Sequence, residues 1–459
     1  MFKEVLKRVK PDESEVRRLS RFAHFIMKKV HDAAEELSID IEDVMLVGSA
    51  ARGTWVSGEH DVDLFMLFEP PQMRAELELN GIEVGKRVVS KDYSDEEFNC
   101  IAYEKEYAEH PYIKAVFGDA AGSRYAVDIV PCFAVQDPSR IESAVDRTPF
   151  HNRYILSKIK GLEDEVLLLK QFMRGIGVYG SELRLQGFSG YLTELLIINY
   201  GSFLDVLKEA SISWKKGMII DIESHGNYED NDPLIVIDPV DPMRNVAAAL
   251  SIDNFARFID GAARFLDDPS IDFFFPPQVE GICSDEFCSI LTERGTRMLF
   301  VVFDAPPLVE DILFPQLRRS AEAAVELLQR EGFSIHREAI WAEKEHAVIL
   351  LELEVSELPR IKKHIGPPVW NHKHASKFRS KYQDARFGIY IEDGRYVVDI
   401  ERRYTYAGDF LDAKLRETSL GKNLKNAPFR IFEDEAILNV LRSNKEFGIF
   451  LRRYFAKKC

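Results

Sequence analysis

Apolar positions along the chain follow two periods, and the places where each holds divide it into three stretches. From Asp12 to Leu37, residues Leu19, Phe22, Ile26, Val30, Ala33 and Leu37 recur three and four apart, the spacing of one face of an α-helix. The run Val44 to Val47 reads as a strand, Gly48-Ser49 as a tight turn opening a short helix, and Val62 to Phe68 as the next strand. A polar, acidic stretch from Lys86 to Glu109 follows, and then the strand-like YAVDIVPCF around Asp128. Residues 1–146 therefore predict a small mixed α/β domain.

From His151 the pattern turns helical. Glu163 to Arg174, Ser189 to Leu207 and Asn254 to Leu266 each predict one helix, and IVIDPVDPMRNVAAALS predicts a strand ending in a polar turn. Residues 147–275 form this mainly helical stretch, and IDFFFPPQVEG (271–281) reads as a linker closing it. Beyond it the periods alternate. Met298 to Phe303, His346 to Val355 and Tyr396 to Arg402 read as strands, and Pro315 to Glu331 reads as a helix with Pro315 in its first turn. Residues 276–459 predict an α+β domain. The chain has no internal repeat and no low-complexity tract, and its class is α+β, multidomain.

The candidate chemistry lies where the second strand begins. Residues i and i+2 of a strand share a face about 7 Å apart, so Asp61 and Asp63 project side by side. Paired carboxylates on a rigid element suit Mg²⁺, which takes oxygen ligands and commonly arrives with a phosphate. The Gly48-Ser49 turn offers that phosphate backbone N–H groups and a hydroxyl. An Asp-x-Asp alone is weak, because a solvated strand end has the same look. Asp128 adds a third carboxylate, set between Val127 and Ile129, where it is costly without a cation or partner. Glu59 does not share a strand face with both Asp61 and Asp63 unless the strand extends back through His60, and it is left out of the set.

Composition narrows the class. With 459 residues, 46% of them hydrophobic, several domains and a large core are expected. No 18-residue uncharged apolar run is present, so no membrane contact is expected, and the first residues lack the apolar core of a signal peptide. Five cysteines without C-x-x-C spacing fit a reducing cytoplasm, with Cys283 and Cys288 as packing or surface residues. The net charge of −16 counts against nucleic acid at first sight. Locally the balance reverses: residues 360–386 hold eight Lys/Arg against one acid, Asp384, with Trp370, Phe378 and Tyr382 among them. Such a run is a solvated face or a surface for phosphate contact and base stacking.

Gly-Ser, Arg and Asp-x-Asp opening an apolar strand resemble the nucleotidyltransferase superfamily that includes DNA polymerase beta. With EHPYIKAVFG, AVDIVPCF, SAVDRTPFHNRY, LLLKQFMRGIGVYGSELRLQGFSGYLTELLI, DPVDPMRNVAAALS and TSLGKNL in this order, the chain resembles the archaeal-type (class I) CCA-adding enzymes. The likeness is full from about residue 12 to 280 and thinner to about 425.

That resemblance implies a catalytic α/β domain, a helical nucleotide-pocket domain and an RNA-binding body and tail. It implies Asp61, Asp63 and Asp128 as catalytic carboxylates holding two Mg²⁺, although relatives often carry Glu where Asp61 stands. It implies Ser49 and Arg52 on the triphosphate, and Thr148, His151, Lys170, Tyr179 and Arg244 around the nucleotide. Taken alone, Lys170 is a solvated helix charge, Tyr179 a turn aromatic, Thr148-Pro149 a helix start, His151 a surface histidine and Arg244 a partner for Asp241.

The implied reaction adds CCA to the 3′ end of tRNA from CTP and ATP, with pyrophosphate released. Arg244 is the expected donor that accepts C and A and refuses U and G, and Lys377, Arg379, Lys381 and Lys422 are the expected tRNA contacts. A homodimer is compatible with this expectation. A poly(A) polymerase-like enzyme and a catalytically silent RNA-binding protein are the alternatives; CTP offered alone with end-trimmed tRNA separates them.

Overall fold

The computed structural model describes residues 1–70, 73–107, 110–135, 137, 141, 143, 145–226, 228–438 and 444–456. The chain divides into two compact units, with the boundary between Pro277 and Gln278.

The first unit opens with helix α1 (Phe2–Val9) and the long helix α2 (Glu13–Leu37). Asp12 caps α2 by accepting from the Glu15 N–H at 2.8 Å, and the helix ends at Ser38, whose φ of 55° turns the chain away. A five-stranded sheet follows: β1 (Asp43–Val47), β2 (Asp61–Phe68), β3 (Phe98–Tyr107), β4 (Pro111–Asp119) and β5 (Arg124–Phe133). Its order is β1-β2-β5-β4-β3, with β2 and β5 parallel and the other neighbours antiparallel. Between β1 and β2 lies the short helix α3 (Gly48–Arg52), and α4 (Arg74–Ser90) follows β2.

The faces of this sheet differ. Against one, α2 and α4 bury Phe22, Ile26, Leu77, Val84, Leu64, Phe117 and Ile129 in one core. The other face carries a small apolar group, Val47, Phe65, Leu67, Val130 and Cys132, at one end. The polar stretch expected over 86–109 contains the end of α4 and all of β3. β3 is an edge strand exposed along most of its length, so it shows no burial period to read; residues 108 and 109 lie outside the described residues.

The rest of the unit is mainly helical: α5 (Thr148–Lys158), α6 (Glu163–Gly175), α7 (Gly190–Tyr200), α8 (Phe203–Ile212) and α9 (Ile252–Asp267), with a parallel pair β6 (Met218–Ile220) and β7 (Leu234–Val236). Phe172, Phe188, Phe203, Phe258 and Phe265 fill its core, together with Val5 and Val9 of α1. Two expectations change here. The single helix over 189–207 is two, because Gly201 turns at φ 88° and Ser202 caps α8 by accepting from the Asp205 N–H. The linker at 271–281 begins inside the core: Phe274 is fully buried and its carbonyl accepts from Gln171.

The second unit holds α10 (Ser284–Arg294), β8 (Arg297–Asp304), α11 (Glu310–Glu331), β9 (Ser334–Ala342) and β10 (His346–Val355). It continues with β11 (Ile361–Pro368), α12 (His372–Lys381), β12 (Ile389–Glu392), β13 (Arg395–Glu401), α13 (Ala407–Lys414), β14 (Phe429–Glu433) and a closing helix, Lys445–Phe455. One sheet runs β14-β8-β10-β9 and another β11-β13-β12. Pro315 lies inside α11 rather than in its first turn, because the helix starts at Glu310. Cys100, Cys132, Cys283 and Cys288 are free thiols, the last two exposed; Cys459 lies outside the described residues.

Candidate active site

β1 runs into Gly48, whose φ of 72° favours glycine. Space demands it as well: a Cβ on Gly48 would sit 2.1 Å from Asp63 Oδ2. The Gly48-Ser49 turn is therefore pressed against the Asp63 carboxylate, with Ser49 half-buried beside it.

The parallel pairing of β2 and β5 sets Asp63 directly opposite Asp128, and Asp61 opposite Ala126. Adjacent strands lie about 4.8 Å apart, and Asp61 shares its face with Asp63. The three acids thus share one patch of the sheet. Asp61 is exposed at its rim, while Asp63 and Asp128 are half-buried.

Burial, with Asp128 and Asp61 close by, pushes the Asp63 carboxyl up to about 6. Asp128 is raised by burial and Asp61, and Asp61 by burial and Glu59. Lys114 opposes the rise at all three; it is the register partner of Asp128 on β4.

Among the described residues no three acidic, histidine or cysteine side chains already close around a common point. The chemistry of the donor set still fits a divalent cation. These are hard oxygen donors, held by backbone pairing, whose negative charge is under-compensated by the protein.

Glu194 of α7 organises the neighbouring ground. It is fully buried and accepts from Arg52 and from the Thr54 hydroxyl. Arg52 also donates to Asn152 Oδ1 at 3.0 Å, so its guanidinium is engaged by protein, although its charge still lowers the Asp63 pKa. Lys170 is buried, not solvated; its Nζ donates to the Thr54 carbonyl at 2.8 Å, and burial lowers its pKa. Tyr179 lies under the Arg174 guanidinium, 4.7 Å from ring centroid to Cζ, and burial pushes its phenol up to about 12. Arg174 also bridges to Glu59.

A second cluster centres on Asp238, whose side chain is fully buried. His151 Nε2 lies 2.8 Å from its Oδ2, Arg244 Nη1 donates to the same oxygen at 2.7 Å, and Tyr191 donates to Oδ1 at 3.2 Å. His151 stacks on Tyr191 with centroids 4.3 Å apart, so it is a packed residue rather than a surface one. Burial alone would raise the Asp238 pKa, but these donors outweigh it and hold it at about 2. Arg244 pairs with Asp238, not with Asp241, which is taken by Arg147. Thr148 opens α5 with Pro149 at the next position, half-buried.

An open cleft of about 550 Å³ is lined by Arg147, Ser181, Ser189, Asp241, Arg244 and Asn245, among others. Another hollow, about 610 Å³ and lined by Ser20, Arg21, His24 and Phe25 of α2, adjoins the helix that covers the opposite face of the sheet from the acids.

Sequence reasoning missed Glu194, Asp238, Arg174 and Lys114. Glu194 did carry a signal, the same one that marked Asp128: a carboxylate inside an apolar run, here between Leu192 and Leu195.

In the second unit Lys377, Arg379 and Lys381 are exposed on α12, whose Ala375 and Phe378 turn inward. The basic run is less unbalanced than its sequence: Lys362 pairs with Glu331, Lys363 with Glu392 and Arg386 with Glu401. Lys422 is exposed, while the adjacent Asn423 is held by Gln316 through two hydrogen bonds.

The sheet with its acid row defines a nucleotidyltransferase, and residues 27–151 match the model of the nucleotidyltransferase domain. Residues 164–275 match that of the tRNA nucleotidyltransferase second domain, and residues 294–434 that of the CCA-adding enzyme C-terminal domain. The chain is 45% identical over 455 residues to a CCA-adding enzyme of Methanosarcina acetivorans, covering 98% of this chain and 97% of that one. It is 40% identical to that of Halobacterium salinarum, covering 95% and 94%, and 38% identical to that of Methanothermobacter thermautotrophicus, covering 99% and 92%. The chain belongs to the archaeal-type CCA-adding enzymes. Its reaction is the template-independent addition of CCA to tRNA, with nucleoside triphosphates as the other substrate. No helix among the described residues is long and apolar enough to cross a membrane.

Proposed function

We propose that the transfer uses two Mg²⁺ held by Asp61, Asp63 and Asp128, with CTP and ATP bound beside them. The observation that carries this is the pairing of Asp63 with Asp128 across β2 and β5, with the Gly48 turn against Asp63. When bound, the ions lower the pKa of the RNA 3′-hydroxyl and offset the charge that builds on the leaving pyrophosphate.

The chain's own residues then have separate tasks. Asp61 and Asp63 hold the triphosphate-side cation, and Asp128 the one nearest the hydroxyl. Ser49 and the Gly48-Ser49 backbone face the triphosphate, which the charges of Arg52 and Lys170 attract. Tyr179, Thr148 and His151 shape the nucleotide pocket. His151 also braces Asp238, which aims Arg244. Cytosine and adenine each set an exocyclic amino donor beside a ring-nitrogen acceptor, whereas uracil and guanine reverse that order. A guanidinium paired with one acceptor therefore admits the first two, and a site with buried polar groups rejects mismatched partners strongly.

The work divides into a catalytic part (1–146), a nucleotide-pocket part (147–275) and a tRNA-binding body and tail (276–459). The tail reads the acceptor arm through its backbone and shape, with Lys377, Arg379, Lys381 and Lys422 as contacts. Free thiols at Cys100, Cys132, Cys283 and Cys288 support a cytoplasmic location. A homodimer is compatible with this reading.

The test is incubation of the full chain with Mg²⁺, labelled CTP and end-trimmed tRNA. Asp63→Asn and Asp128→Asn are each expected to lower kcat/KM by more than about 100-fold, beyond the loss of an outer partner of a metal ligand. Either variant retaining near-wild-type turnover would remove that carboxylate from the reaction.

A further inference from the structure

One line of register across the catalytic sheet passes through Val47, Asp63, Asp128, Lys114 and Glu104, on β1, β2, β5, β4 and β3 in turn. Two of these, Asp63 and Asp128, belong to the reaction already described; Lys114 has no part in it. Resting on that reading, we infer that Lys114 receives a backbone phosphate at the 3′ end of the acceptor RNA.

The argument is one of direction. In-line displacement places the attacking and leaving oxygens on opposite sides of the transferred phosphorus. The turn that faces the triphosphate abuts Asp63 from the β1 side of the row. The attacking hydroxyl, and the RNA behind it, therefore approach from the other side, across Asp128 toward β4 and β3.

Among the described residues of β4 and β3, one cation stands on the face of the acids. Lys114 is the basic residue of β4 and pairs in register with Asp128. Directly opposite residues of an antiparallel pair have Cβ atoms about 5 Å apart. Lys105 of β3 pairs with Ile113, which is buried in the core under α2 and α4, so it belongs to the opposite face.

Lys114 is exposed and forms no ion pair among the described residues, although acids stand on both sides of it in the row. With Mg²⁺ on the three carboxylates as proposed, Glu104 is the acid of the row left uncovered on the path of the RNA strand, and Lys114, its register partner, is the cation beside it. A flexible ammonium on an exposed strand suits a phosphate as a point charge.

The opposing idea is that Lys114 merely offsets the charge of Asp128. Steady-state kinetics on the full chain separate the two, using end-trimmed tRNA, CTP and a series of salt concentrations. Lys114→Gln is expected to raise the KM for tRNA about tenfold and to flatten its salt dependence by about one unit of slope. The KM for CTP and the Mg²⁺ requirement are expected to stay at wild-type values, and Lys114→Arg to stay within about twofold of wild type for tRNA.

An unchanged tRNA KM and salt slope in Lys114→Gln would overturn the inference. So would a shifted Mg²⁺ requirement at an unchanged tRNA KM, or a KM change that follows a lost fold in thermal unfolding and appears equally in Lys114→Arg. Failure of the wild-type chain to label end-trimmed tRNA would instead sink the proposed function itself.

Discussion

Glu194 on α7 accepts from Arg52 on α3, an ion pair buried on both sides that ties the acid-bearing sheet to the helical part of the same unit. Thr54 joins it through its hydroxyl, and Lys170 holds the Thr54 carbonyl. Removing one partner of a buried pair leaves the other charge desolvated and uncompensated, which costs about 3–5 kcal/mol. Glu194→Ala is therefore expected to lower unfolding stability by that amount in urea titration. Glu194→Gln keeps acceptor capacity for one donor and is expected to cost less. A cost under about 1 kcal/mol for Glu194→Ala would show that the charges are solvated in solution.

Asp238 makes stability pH-dependent, and the sign follows from its depressed pKa. A carboxyl held at about 2 against an ordinary 3.8 binds its proton more weakly folded than unfolded. Its stabilisation is complete above about pH 4 and is lost as pH falls through about 2. With about 1.4 kcal/mol per unit, the loss is roughly 2 kcal/mol. Asp238→Asn is expected to be less stable at pH 6 and to lack this share of the acid loss. Urea unfolding at pH 6 and pH 2.5 checks it; parallel acid losses in both proteins would remove Asp238 from the account.

Arg244 is expected to set base choice because Asp238 fixes one end of its guanidinium at the edge of the cleft. Arg244→Ala should reduce incorporation of C and A and should narrow the margin over U and G. A site that loses one polar partner commonly gives up about 1–3 kcal/mol of discrimination, or roughly 5- to 150-fold. Competition between CTP and UTP on end-trimmed tRNA reads this directly. Unchanged discrimination in the variant would transfer the role to another group.

The acids of β2 and β5 were legible in the sequence because their spacing is local: a strand's period of two places Asp61 and Asp63 on one face, and an isolated carboxylate marks Asp128. The two-helix break at Gly201 was legible in principle, since a glycine followed by a serine is a stop and a cap. Glu194 and Asp238 owe their contacts to partners far along the chain. Arg52 lies 142 residues from Glu194, and His151 lies 87 from Asp238. No local period encodes such pairs. Lys114 is separated from Asp128 by a hairpin, and only the β4–β5 register places them together. The basic run at 360–386 is more nearly balanced in the fold than in the sequence, because three of its cations are matched by acids outside it.

That matching sharpens the last prediction. With Lys362, Lys363 and Arg386 paired, α12 still carries Lys373, Lys377, Arg379 and Lys381 exposed, and the last three are the proposed RNA contacts. Arg379 lies over the Tyr396 ring of β13, which keeps it close to the small sheet, and Lys381 lies over the ring of the adjacent Tyr382. Replacing all three by Ala touches none of the buried residues that fix the helix, Ala375 and Phe378, so the fold should persist. The KM for tRNA is then expected to rise and its salt slope to fall by about one unit per lost phosphate contact, roughly three in total. The KM for ATP should not move. The same triple change made at Lys362, Lys363 and Arg386 should alter the slope less, since those charges are already shared with Glu331, Glu392 and Glu401. Equal slopes for the two triple variants would mean that RNA binding reads the net charge of this region and that α12 has no privileged contact with the strand.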